Sequence, residues 1–356
     1  MRTSTTLAAF LLAAACTEST TPPPPPPVPD PSPLARCADP AVALDQRWQV
    51  DNVHTPITAL TSHRGTVVVG SADGAVKLWN LSAAGATAVR PGYGEPLTLE
   101  GAAVGALATS PDGAVAAVDI EGGTTAWALD GGELMPRRAL LPAAGALVAL
   151  ADDGGTLLAG TAEFAGDLSV LDLRSGTATA LPTDLWFVAA ARATGTRWVT
   201  AGEWYGCVGV ELRDATAPET RLAMWDACRG TGGTNAQGRF HALALDAAGT
   251  SAVVVGDGLI ARFDLADLAA GPVAQTATDL RLDRVVRLDG DNVVVTLGHR
   301  GAAAELTWWS LDTLQPLRTA ALAAIPETID LVVEPVTGVA VTAAADGTLR
   351  GHVCAE

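Results

Sequence analysis

Short apolar starts of the form Φ-x-x-Φ, where Φ is an apolar residue, recur at Ile57, Val104, Leu147, Phe187, Phe240, Val285 and Ile329. The intervals between them are 47, 43, 40, 53, 45 and 44 residues. Seven to nine residues after each start stands a turn former, Gly65, Gly113, Gly155, Gly195, Gly249, Asn292 or Gly338, and then a run rich in Val, Ala and Thr. Short runs of this composition suit strands, and no long stretch carries the 3.6-residue spacing of an amphipathic helix. A unit of a few short strands cannot bury its apolar face alone. Seven such units at a period near 45 residues therefore predict an all-β, seven-bladed β-propeller of four-stranded antiparallel blades.

The two ends of the pattern complement each other. A strand-like stretch, Asp45 to Val50, precedes the first unit, while the seventh unit ends at Glu356 after only three strands. The N-terminal strand is expected to close the ring by completing the last blade, which brings Cys37 and Cys354 to one rim and permits a disulfide there. Cys207 and Cys228 flank a hairpin centred near residue 217, with Asp214 to Thr220 as its turn, and are expected to bridge neighbouring strands; two unpaired buried thiols are the alternative.

The first unit carries a family resemblance. Leu60-Thr61-Ser62-His63-Arg64-Gly65, Val67-Val68-Val69-Gly70-Ser71-Ala72-Asp73-Gly74 and Ala75-Val76-Lys77-Leu78-Trp79-Asn80-Leu81 resemble a WD40 repeat, with Trp79-Asn80 where that family has Trp-Asp. Weaker echoes are Ser110-Pro111-Asp112-Gly113, Trp127, Leu171-Asp172, Phe263-Asp264 and Trp309. The resemblance spans roughly residues 44 to 356 and implies the propeller architecture. It also implies a structural hydrogen-bond network joining His54, Asp73 and Trp79.

Composition narrows the partners. With 39 acidic against 22 basic side chains and a net charge of -17, the surface repels phosphate backbones, so no nucleic acid is expected. Lys77 is the only lysine, which leaves no polybasic membrane patch. At the N-terminus, Arg2 precedes an apolar run from Leu7 to Ala15, too short to span about 30 Å of hydrocarbon. Residues 1–15 are identified as a signal peptide, and Leu12-Ala13-Ala14-Ala15-Cys16 resembles the lipobox of bacterial lipoproteins, with Ala13 where a bulky aliphatic is usual. The resemblance implies an acylated Cys16; cleavage after Ala15 without lipid is the alternative, and gives a secreted protein. Residues 16–36, with prolines from Pro22 to Pro27, form an extended tether, and residues 37–356 the propeller. Setting Cys16 aside leaves four cysteines, an even set suited to an oxidising compartment.

Catalytic signatures are absent: no Gly-x-Ser-x-Gly, His-Glu-x-x-His, Walker loop or Cys-x-x-Cys occurs. His54, His63, His241, His299 and His352 have no partner at metal-ligand spacing, so neither metal nor cofactor is expected. Asp-Gly pairs at Asp73, Asp112, Asp257 and Asp346 are best explained as turn chemistry. Most of the nine tryptophans fall in strands and pack between blades; Trp204 instead stands in Gly202-Glu203-Trp204-Tyr205-Gly206, expected to connect the second and third strands of blade four. On the same face belong the long segment Arg229 to Arg239, Glu163-Phe164, and His299-Arg300. Glu163, Phe164, Glu203, Trp204, Tyr205, Arg229, Asn235, Gln237, Arg239, His299 and Arg300 are thus the candidate binding surface, on loops stapled by Cys207 and Cys228.

These features predict an envelope lipoprotein, sorted to the outer membrane, that binds protein partners as a monomeric scaffold. Two alternatives are an envelope enzyme using the axial funnel (a lyase, hydrolase or quinone-dependent dehydrogenase) and an outer-membrane assembly factor. The enzyme reading needs polar groups on the innermost strands, where Thr58, Thr61, His241, Arg287 and Asp330 stand out.

Overall fold

A computed structural model of the chain describes residues 32–51, 56–82, 85–89, 97–98, 102–121, 123–129, 132–133, 139–140, 147–152, 154–160, 168–185, 187–204, 206–217, 219–228, 239–246, 248–288, 290–322, 328–334 and 337–355. The chain divides into two units, Met1–Asp30 and Pro31–Glu356, and the described residues belong to the second. The expected signal peptide, Cys16 and nearly all of the tether lie outside them.

Apart from two short 3-10 turns, Pro33–Ala38 and Leu268–Ala270, the described elements are antiparallel strands in a propeller arrangement of small sheets. The repeat pattern predicts seven separate four-stranded sheets; the described residues form six, with four to six strands each. The fifth and sixth repeats share the six-stranded one because two strands run on where the other repeats break. In Ser251–Asp264, the first half pairs with Phe240–Leu245, and the second half, beyond Gly258 at φ 68°, pairs with the start of Pro272–Arg287. The far end of Pro272–Arg287 pairs with Val293–Arg300. Glycine takes this left-handed conformation without a Cβ clash, so the strand is redirected without ending.

The first strand of each repeat lies innermost. Ile57–His63 touches Val104–Thr109, and contacts continue through Leu147–Leu150, Phe187–Thr194, Phe240–Leu245, the end of Pro272–Arg287 and Thr328–Glu334 back to Ile57–His63. Six of these strands share a register shift near their start, at Ile57/Ala59, Val104/Ala106, Val188/Ala190, Phe240/Ala242, Leu282/Arg284 and Thr328/Asp330. A bulge adds one residue to one strand of a pair and re-aims the side chains around it. These shifts place the inner strand of the fourth repeat one residue later than its Phe187 start suggests, and that of the sixth three residues before Val285.

The core lies between neighbouring sheets. Val199, Val210, Leu212 and Trp225 of the fourth repeat pack on Phe240, Leu243, Val254 and Phe263 of the fifth, with the Trp225 and Phe263 rings 5.0 Å apart. Middle strands touch a neighbour on both faces, which is why Ala114–Asp119 and Val339–Ala344 are buried along their whole length instead of alternating. Small residues there let sheets approach closely, and Trp198, Trp308 and Trp309 fill the wider gaps.

Leu44–Val50 pairs with Leu349–Cys354 and completes the last sheet. The disulfide Cys37–Cys354, with Cα atoms 5.5 Å apart, joins the two ends. Before it, Pro33–Ala38 caps the sheet: the Trp308 Nε1 donates to the Leu34 carbonyl at 3.1 Å, and the Ser32 amide donates to Asp291 at 2.8 Å. Among the expected turn glycines, Gly65, Gly113, Gly195, Gly249 and Gly338 take positive φ; in the third and sixth repeats that role belongs to Gly154 and Gly290, not to Gly155 and Asn292.

Candidate functional site

Because strands alternate direction, the hairpins joining first to second strands lie on one rim and those joining second to third on the other. Of the expected surface, the second rim holds Glu203, Arg239, His299 and Arg300. Of that surface's eleven residues, Glu163, Phe164, Tyr205, Arg229, Asn235 and Gln237 lie outside the described residues, as does the Trp204 side chain. Glu203, Arg239, His299 and Arg300 are described, and the structure brings the first two together: the Arg239 Nε donates to Glu203 at 3.2 Å. The loop is shorter than expected, since Arg197–Trp204 stays a strand through Glu203 and Trp204 and the next strand starts at Cys207. The register of Cys207–Asp214 against Arg221–Asp226 sets Cys207 beside Cys228, and the two form the second disulfide, with Cα atoms 5.9 Å apart.

His299 and Arg300 belong to a separate set of ion pairs in the sixth repeat. Asp283, put on the rim by its bulge, accepts from His299 Nδ1 at 2.6 Å and from Arg281 Nε at 2.7 Å. Burial alone would raise the Asp283 carboxyl, but the His299 hydrogen bond and the charges of Arg281, His299 and His241 outweigh it and hold it below the ordinary range. That hydrogen bond in turn raises His299 above the usual imidazole value against its own partial burial. Arg300 pairs with Asp279 and Glu305. Between the two sets stands His241, also a bulge residue, whose Nε2 lies 2.8 Å from Asp257. The sequence gives no sign of Asp257, Asp279 and Asp283 as rim partners, because a bulge is invisible in a polar-apolar pattern. The result is a rim of alternating charge from Glu203 to Arg300.

The inner strands enclose an axial channel of about 470 Å³. Thr58, Thr61, His241 and Asp330 line it as expected from the sequence, whereas Arg287 does not; it turns outward to Ser251, 2.8 Å away. Arg192 and Arg284 line it unforeseen. Arg192 stands as the only charge in its strand, a usable signal, while Arg284 precedes the Val285 start and so fell outside the inner strand. Asp330 ties three repeats: it accepts from Arg284 Nε at 2.5 Å and from the backbone amides of Leu331 at 2.9 Å and Leu60 at 3.1 Å.

On the opposite rim carboxylates act as staples. Glu334 accepts the Gly65 amide at 2.5 Å and Asp152 the Gly195 amide at 2.6 Å, each reaching the next repeat. The Asp-Gly pairs at Asp73, Asp112 and Asp346 stand in turns, with Gly74, Gly113 and Gly347 at positive φ and Asp73 and Asp346 accepting the amides of Ala75 and Thr348, whereas the expected turn at Asp257 is absent: Asp257 and Gly258, also at positive φ, lie within the strand Ser251–Asp264. His54, assigned to a network with Asp73 and Trp79, is outside the described residues; Asp73 accepts from the Ser71 hydroxyl. Among the described residues no three His, Cys, Asp or Glu gather as metal ligands, and no helix is long and apolar enough to cross a membrane. No family model matches the chain, and no curated protein matches it either.

Proposed function

We propose that the chain is a seven-bladed propeller of the WD40 type, exported, anchored by lipid at Cys16 and serving as a protein-binding scaffold in the cell envelope. The cyclic contact of seven innermost strands supports the blade number, with the shared sheet counting as two blades joined edge to edge. Two disulfides fit an oxidising compartment. One observation carries the scaffold reading: the rim of alternating charge lies opposite the rim where the N-terminal segment meets the body. Ser32 bonds Asp291 and Pro33 packs on Gly338, both in first-to-second hairpins, whereas Glu203, Arg239, His299 and Arg300 flank second-to-third hairpins. A tether leaving Ser32 toward a membrane would present the charged rim to partners. Arg239, next to the strand Phe240–Leu245 and held by Glu203, loses little freedom on binding, which favours recognition there.

The test is capture of partners from an envelope extract by the tagged full chain and by a Trp204→Ala, Arg239→Ala variant. Loss of a specific partner is expected; an unchanged set of partners removes the scaffold reading. Mass spectrometry of the mature N-terminus tests the anchor, which requires an acylated Cys16. An enzyme in the channel has in its favour the charged groups Arg192, Arg284 and Asp330, but Arg284 and Asp330 neutralise each other.

A further inference from the structure

We infer that the disulfide Cys207–Cys228 is a thiol–disulfide exchange site, opened by a dithiol reductant that attacks the sulfur of Cys228, while the ring-closing pair Cys37–Cys354 stays shut. The two bonds stand in opposite surroundings. Cys37 and Cys354 are 0% and 5% exposed, inside the apolar cluster between the sixth repeat and the last sheet. Carbonyls of the N-terminal segment cover their sulfurs: that of Ala43 lies 3.9 Å from Cys37 Sγ and that of Leu34 3.3 Å from Cys354 Sγ. A thiolate would have to displace the turn Pro33–Ala38 to reach them. Cys207 is also buried, packed with Val208, Val210 and Trp225, but its partner Cys228 is exposed. Exchange needs access to one sulfur of the bond, and exposed disulfides are the labile ones.

The bond also stands where the strand pairing ends. The Ala227 amide donates to the Val208 carbonyl at 3.0 Å, and Cys228 follows it, while Cys207 opens its strand just after Gly206 at φ 82°. Opening the bond therefore frees the chain at Cys228 and leaves the ladder from Gly209 and Asp226 to Leu212 and Ala223 in place. The fold survives the step. In that step the attacking thiolate bonds to Cys228 Sγ, the Cys207–Cys228 bond breaks, and its electron pair leaves on Cys207 Sγ, which takes a proton from water. Cys207 stays beside the mixed disulfide, its strand held by Arg197–Trp204, and so reverses attack by a monothiol. A dithiol completes the reaction, because its second thiolate displaces Cys228 Sγ, which is protonated in turn. In sum two electrons and, through water, two protons pass to the cysteine pair, and the dithiol becomes a disulfide. The consequence reaches the rim, since Glu203, the partner of Arg239, pairs with Val208 next to the opened bond. The exchange itself holds whether or not that rim binds a protein.

The experiment is reduction of the native full chain with graded dithiothreitol, the freed thiols being trapped with iodoacetamide and assigned by peptide mass spectrometry. Cys207 and Cys228 are expected to be labelled at a dithiothreitol concentration about tenfold or more below that needed for Cys37 and Cys354, with the β-sheet circular dichroism unchanged. Joint opening of the two pairs, earlier opening of Cys37–Cys354, or no labelling before the sheets unfold overturns the site. The attacked sulfur is tested with oxidised glutathione: Cys207→Ser should be glutathionylated at Cys228 about tenfold or more faster than Cys228→Ser at Cys207, and equal or reversed rates overturn the assignment to Cys228. Should a variant not fold, the order of opening in the wild-type chain decides alone.

Discussion

Trp48 packs its indole directly on Gly351, its cross-strand partner where the N-terminal strand joins the last sheet, and leaves no room there for a Cβ. Gly351→Ala is therefore expected to push the indole out of its site and loosen the seam at which the ring closes. Overpacking of this kind costs about 1–3 kcal/mol, read as a fall in the thermal unfolding midpoint. Trp48→Leu combined with Gly351→Ala should lose less than the two single changes added together, since the smaller side chain makes the space.

The two disulfides are expected to differ in weight. Cys37–Cys354 closes a loop of 317 residues and Cys207–Cys228 one of 21. In the chain-entropy model these restrict the unfolded state by about 6 and about 3 kcal/mol, upper values that strain and residual structure reduce. Replacing each pair by alanines and comparing urea midpoints should show the larger loss for the ring-closing pair. Equal losses would mean that the N-terminal strand holds its place without the bond.

The legible part of this fold was what repeats. Five of the seven turn glycines, the N-terminal strand of the last sheet and both cysteine pairs follow from spacing, because a strand period and a hairpin centre fix partners by arithmetic. What was hidden depends on single-residue departures from the period. Gly258 lets one strand continue where a turn is expected, so the fifth and sixth repeats merge; the bulges at His241 and Asp283 move charges to the rim; and Arg284 enters the channel ahead of its apparent strand start. Trp204 looked like a loop residue because Gly202 and Gly206 surround it, yet it pairs with Cys207 at a strand end.

Acid should destabilise the protein through His352. Burial, reinforced by Arg350, pushes this imidazole down to about 4 from 6.5, and its Nε2 lies 3.0 Å from the Thr342 hydroxyl in the last sheet. Above pH 6.5 it is neutral whether folded or unfolded, and no penalty arises. As pH falls from 6.5 toward 4, the unfolded chain takes up a proton that the folded one refuses, so stability drops, by up to about 3 kcal/mol once below both values. His299 has the opposite sign: raised by Asp283, it adds stability at low pH that is lost as pH rises through its folded value. Urea midpoints measured stepwise between neutral and mildly acidic pH should flatten in His352→Gln and steepen in His299→Gln.

Within the fourth repeat, Glu211 and Arg213 form a buried pair at 2.6 Å, and Glu211 also accepts from the Thr183 hydroxyl at 2.8 Å. Removing one member takes the closest opposite charge from a group that stays buried. Glu211→Ala is expected to cost about 3–5 kcal/mol, whereas an apolar replacement of both residues of similar volume should cost far less. Unfolding free energies of the two variants make the comparison; an equal loss would show that packing, not charge, is what the pair supplies.

Arg239 and Glu203 make the reverse case, and it separates recognition from stability. Their contact at 3.2 Å joins an arginine that is 61% exposed to a glutamate that is 15% exposed, at the end of a strand fixed by the second disulfide. An ion pair this open to water contributes about 0–1 kcal/mol, so Arg239→Ala should leave the melting curve within that margin of the parent. If the rim recognises a protein, the same substitution weakens capture well beyond it, because an arginine held in place by Glu203 supplies several donors at once on binding. The Cys207→Ala, Cys228→Ala variant sharpens the point: with the staple gone, the hairpin that carries Glu203 and holds Arg239 must be ordered at the moment of binding, and affinity should fall further than stability alone accounts for. A melting curve shifted in proportion to the loss of capture would instead mean that Arg239 acts on the fold.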